Sequence, residues 1–172
     1  MIIVGPLLVA SPRRLPTEAR WTQIAAILAV AIASLANAAS LGLLIHHLLY
    51  FGKNVTGEEL LFSSISIWVT NVIVFGLWYW ELDRGGPDDR LREDHNPPDF
   101  LFPQMVTPGC APPGWNPKFV DYFYVAFTNA TAFSPTDTMP LSVSAKMLMA
   151  LQATVSLLTI TLVAARAVNI IQ

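Results

Sequence analysis

The stretch most informative for chemistry in this chain runs from Asp121 to Lys146, DYFYVAFTNATAFSPTDTMPLSVSAK. Asp137 stands there between Pro135 and Pro140, in a turn that cannot be regular helix. A charged side chain inside a membrane segment usually marks function. The other reading of Asp137 is a cap, accepting from amides of the turn or of the helix that follows. Asp121 opens a short apolar helix, where negative charge suits the dipole. Further on, Gln152, Ser156, Thr159 and Arg166 recur at helical spacing, with Val163 between. Lining a water-filled space, they would face water. In a helix bundle they would hydrogen-bond across helices, at roughly 0.6 kcal/mol each. Either geometry fits the spacing.

Other reactive residue types are sparse. There is no histidine-rich metal cluster, no G-x-S-x-G nucleophile elbow and no phosphate loop, so neither enzymatic activity nor a cofactor is expected. His46 and His47 are adjacent on a helix, about 100° apart, and suit a membrane interface better than one shared metal. A single cysteine, Cys110, excludes an internal disulfide and any multi-cysteine site. It is either a spare thiol or a link to a second copy.

The elements that position these groups are membrane helices. Hydrophobic residues make up 53% of the chain against 13% charged, and mean hydropathy is +0.50. Soluble domains carry roughly 25% charge, and a small soluble fold cannot hide this much apolar surface. The net charge of −2, with no basic block, points away from nucleic acid. Full spans are expected at Trp21–Tyr50, Leu60–Leu82 and Leu141–Ile171. The first is crowded with Ala, Ser and Gly, which allow close backbone approach in lipid, and holds Asn37 near its middle. The second opens with Glu58 and Glu59, carries Asn71, and ends in the aromatic belt Trp78, Tyr79, Trp80. Residues 1–20 read as a membrane-dipping segment and a basic linker, broken by Pro12 and Pro16. The stretch 83–118 is acidic and holds eight prolines. It is expected to lack regular structure and to form a wet cap anchored by Phe100, Leu101 and Phe102. Phe119–Ser134 is apolar but, at about 16 residues, short for a span.

A short aromatic helix, a polar non-helical turn and a long apolar helix together resemble the pore module of the potassium-channel superfamily. Laid on that pattern without gaps, Tyr122 and Phe123 fall in the pore helix and Thr128 and Thr131 at its end. Asp137 takes the place of the filter aspartate, Pro140 that of the following proline, and Lys146 that of the basic residue opening the inner helix. The match runs from Asp121 to the chain end, and the helix ending WYWELDRGGP corresponds to the outer helix. The filter positions Ala132, Phe133, Ser134, Pro135 and Thr136 contain no glycine. Successive inward carbonyls need glycine-compatible angles, so the resemblance does not extend to potassium selectivity. The chain looks like one of a group of bacterial membrane proteins that share this degenerate hairpin and generally have further helices upstream.

The resemblance implies an all-α membrane protein of three spans plus a re-entrant half-helix, multi-pass in the cell (inner) membrane. It implies a homo-oligomer, tetramer favoured, passing ions by a turn that includes Thr131 to Asp137. The alternative is a structural or accessory subunit whose hairpin only packs. Channel-like topology puts the 83–118 loop and the Asp137 turn outside. That orientation is favoured here, although Arg13, Arg14 and Arg20 would then also lie outside, against the positive-inside tendency.

Overall fold

The computed structural model describes residues 16–50, 57–92, 96–134 and 137–171. The dipping segment 1–10, Arg13, Arg14, the Lys53 turn, Pro135 and Thr136 lie outside them. Helix α1 covers Pro16–Tyr50. Pro16 opens it, where a missing N–H costs nothing. Helix α2 covers Gly57–Leu82, with Glu58 and Glu59 in its first turn as the dipole favours. After a long loop come α4, Phe119–Ala132, and α5, Val143–Ile171. Helices α1, α2 and α5 are each long and apolar enough to cross a membrane, over Trp21–Leu48, Glu58–Gly85 and Val143–Ala164.

The loop corrects one expectation. It is not devoid of regular structure: it holds two 3₁₀ turns, Asp83–Gly85 and Asp89–Leu91, strand β1 at Phe100–Leu101, and helix α3 at Pro103–Val106. Pro103 sits in the first turn of α3, where proline is tolerated. Nor is the loop wet throughout. Asp83, Arg84 and Arg90 are buried, because each is bonded or stacked against the ends of α2 and α4. Phe100 and Phe102 do anchor it, at 1% and 3% exposure.

Helix α2 is the centre of the bundle and packs against α1, α4 and α5. The main core joins Val72, Phe75 and Tyr79 of α2 to Tyr122, Val125 and Ala126 of α4 and Met149 of α5. A second cluster joins Leu41 and Leu44 of α1 to Leu60 and Ile67 of α2. Leucines and isoleucines such as Leu28, Ile32 and Leu151 stay exposed, as faces turned to lipid would.

Contacts along α2 fix the course of α4. Its first turns lie beside Trp80, whose ring meets Phe119 and Tyr122. Phe123 then passes Gly76, where a Cβ would come within 3.2 Å of the Phe123 Cα. Phe127 lies on Trp68, ring centroids 5.9 Å apart. So α4 descends along α2 for its 14 residues, about 21 Å at 1.5 Å per residue. A bilayer core is roughly 30 Å thick. The helix ends at Ala132, two residues before the expected end, because Phe133 adopts the left-handed conformation, φ 55. The chain then climbs back. Strand β2, Met139–Pro140, pairs antiparallel with β1, Phe100 opposite Pro140 and Leu101 opposite Met139. Leu141 N–H donates to Asp99 O at 2.8 Å. Helix α5 starts two residues later than expected, with the Ser142 hydroxyl accepting from Ala145 N–H at 3.1 Å, an N-terminal cap.

Candidate functional site

Three polar regions lie along this descending and returning chain. The first is at the loop end. The aromatic belt of α2 runs into Glu81, Leu82, Asp83, Arg84 and two glycines. Arg84, Gly85 and Gly86 all have positive φ, and a Cβ on Gly86 would meet Gln23 Nε2 at 2.3 Å. Glycine is therefore required at 86 for two separate reasons. Gln23 Nε2 donates to Gly85 O at 2.6 Å, tying α1 to this turn. The turn folds the chain back so that the Asp83 side chain, 0% exposed, points into the bundle.

Asp83 Oδ2 accepts from the Tyr122 hydroxyl at 2.5 Å. Its Oδ1 accepts from the amides of Asp99 at 2.8 Å and Phe100 at 3.3 Å. Arg84 Nε lies 4.0 Å from Oδ2, and Arg84 N–H donates to the Asp99 carboxylate at 3.0 Å. Arg90 Nη1 donates to Trp80 O at 2.6 Å and Asp83 O at 3.1 Å, satisfying carbonyls that the end of α2 leaves open. Its guanidinium lies 4.3 Å from the Trp80 ring centre and 5.1 Å from that of Tyr122, a desolvated cation–π stack. Burial pulls the Arg90 pKa below its ordinary value, opposed by Tyr122, Asp83 and Glu81. Phe102 meets the Tyr122 ring edge-on at 5.2 Å. At the start of α4, Lys118 N–H donates to Asp121 Oδ2 at 2.7 Å, so Asp121 is the N-terminal charge it was expected to be.

Midway along α2 lies a second polar region. Gln152, Ser156 and Thr159 are 0%, 0% and 1% exposed. Gln152 Oε1 accepts from Tyr79 OH at 2.6 Å and Asn129 Nδ2 at 2.8 Å, while its Nε2 donates to Ala126 O at 2.8 Å. Asn71 Nδ2 donates to Ser156 Oγ at 2.8 Å, and Asn129 Nδ2 also donates to Met149 O. Of the two geometries the spacing allowed, the chain adopts hydrogen bonding across helices for Gln152 and Ser156. Thr159 instead donates to Val155 O in its own helix. Arg166 lies in α5, and its side chain falls outside the described residues.

The third region is the tip. Thr131, Ala132, Phe133, Ser134 and Asp137 are all exposed. The hydroxyl of Thr131 turns back to Phe127 O at 2.9 Å, as that of Thr128 does to Tyr124 O. Asp137 Oδ1 accepts from Thr138 Oγ1 at 3.1 Å, and Thr138 is buried. The sequence reading singled out these tip residues and the helical stripe. It missed Asp83, Arg84 and Arg90 as a buried cluster, although a signal was there: W-E-L-D-R-G-G sets charge directly against an aromatic belt with no spacer.

Among the described residues no group of three or more His, Cys, Asp or Glu side chains is placed to hold a metal ion. Comparison with family models, curated proteins and solved structures gives no match at any of the three levels.

Proposed function

We propose that this chain is an ion-channel-like membrane protein, multi-pass in the cell membrane, whose segment 119–140 forms a re-entrant hairpin entering the bilayer from the loop side. In this reading α4 is the descending half-helix, 133–137 the tip and 138–140 the returning limb. Several copies, four being favoured, surround an axis with Ser134 to Asp137 nearest to it. The tip has no glycine, so the pathway is not potassium-selective.

One observation carries this reading. The start of α4 and the returning strand β2 share one end of the bundle, at Tyr122–Asp83 and Phe100–Pro140. The last turns of α4 lie midway along α2 beside Trp68, and the tip beyond them is exposed. Lipid cannot satisfy the open carbonyls of a helix end or an irregular turn, so a tip at membrane depth needs protein or water around it. Purified protein in liposomes tests the proposal: monovalent-ion flux above empty vesicles, from particles cross-linking as tetramers, is expected. Flux at the empty-vesicle level for potassium, sodium and chloride would sink it.

The burial of Gln152 and Ser156 favours a second reading. Polar groups that could have lined a water path are used inside the protomer. That suits an accessory subunit whose hairpin only packs. Monomeric particles without flux, or a hairpin covered by an unrelated protein, would support it.

A further inference from the structure

We propose that Asp83 is the positioning residue of the hairpin, holding both of its limbs at one point. The proposal rests on the reading of 119–140 as a re-entrant hairpin. Asp83 ends the central helix at 0% exposure, and its two carboxylate oxygens serve different limbs. Oδ2 takes the Tyr122 hydroxyl, one turn into the descending helix. Oδ1 takes the amides of Asp99 and Phe100. Those two residues hold the returning limb directly, since Phe100 pairs with Pro140 and Asp99 O accepts from Leu141 N–H at 2.8 Å.

The depth and orientation of the tip follow from where the two limbs are pinned. The descending limb is pinned again by Gly76 against Phe123 and by Asn129 on Gln152. The returning limb is tied near its end by the β1 pairing and the Leu141 bond, and Asp83 sits behind both. A carboxylate suits this place because it accepts on both oxygens at once. Leucine at 83 would leave the Tyr122 hydroxyl and two amides buried without an acceptor. Asparagine keeps an oxygen for the amides and can donate its N–H to the Tyr122 oxygen, so it should hold both limbs.

The test is a spin-label distance between residues 69 and 134, both exposed, in protein whose Cys110 is replaced by serine. A second pair, at 35 and 62, reports α1 against α2 and does not involve the hairpin. With Asp83 intact, the 69–134 distribution is narrow. D83N is expected to stay close to it. Y122F is expected to widen it, and D83L to widen it further and displace it by about one helical turn, ~5 Å. The 35–62 distribution is expected to hold in all three. A D83L protein with an unchanged 69–134 distribution would overturn the proposal, as would D83N behaving like D83L. If D83L does not fold, the contrast of Y122F with D83N decides. Because distance is the readout, a hairpin displaced in a protein that passes no ions would leave this inference standing and remove the functional one.

Discussion

The loop end and the tip of the 119–140 segment are built on opposite principles. At the loop end, a buried carboxylate, two buried arginines and three buried aromatic rings share a dense set of bonds and stacks. At the tip, threonine, phenylalanine, serine and aspartate are exposed, and the Thr131 hydroxyl and the Asp137 carboxylate bond within their own stretch of chain. Buried bonds and stacks are therefore concentrated where the segment is held, and the described tip residues are its exposed part. A loop made only to connect two helices would not need such an anchorage.

The contrast predicts how substitutions divide. The largest effect belongs to Asp83→Leu, which leaves Arg84 without its carboxylate and three donors without an acceptor. A loss of about 3–5 kcal/mol is expected, as for one partner removed from a buried pair, read by denaturant titration in detergent micelles. A loss below 1 kcal/mol would mean that the cluster is not a true anchor. Next comes Gln152→Leu, which takes the acceptor from Tyr79 and Asn129 in the middle of the bundle and leaves Asn129 its bond to Met149 O. It should cost about 1–3 kcal/mol by thermal unfolding, and a neutral result would show that water or relaxation replaces the network.

Phe133→Gly should go the other way. A non-glycine residue in the left-handed region costs roughly 1–2 kcal/mol, and glycine gives back about half of that through its own chain entropy. Phe133 is 44% exposed and gives up little packing. A small rise in melting temperature is expected; a fall would mean that the ring is held by a contact made only in the assembly. The smallest effect on stability is that of Asp137→Asn, within about 0.5 kcal/mol as for most exposed substitutions. On the proposed function the same change alters ion flux markedly, and that separation of stability from transport is what the contrast requires.

Much of this arrangement was legible in the sequence, for reasons of pattern. Three long apolar runs could only be membrane-length helices, and Phe119–Ser134 was recognisably short for a fourth, the helix itself ending at Ala132. Phe100 and Phe102 could be named as anchors because they are apolar in an acidic stretch. The Asp83 cluster was not legible, since Asp83, Tyr122 and Asp99 are separated by up to 39 positions and meet only when the loop folds back. Charge count made the loop look solvated, whereas burial depended on pairing that composition does not carry. Gln152 and Ser156 had two faces to choose between, and only the courses of α2 and α4 decided which. The left-handed Phe133 also broke a local rule: its side chain gave no warning of a conformation that glycine normally supplies.

On the proposed function, the tip meets a water-filled path within the membrane. This is tested most directly by placing a single cysteine at Ser134, with Cys110 replaced by serine, in flux-competent proteoliposomes. Adding a charged, membrane-impermeant thiol reagent from the loop side is predicted to modify residue 134 rapidly and to cut ion flux in proportion. A residue 134 that stays unmodified while flux continues unchanged would contradict the account.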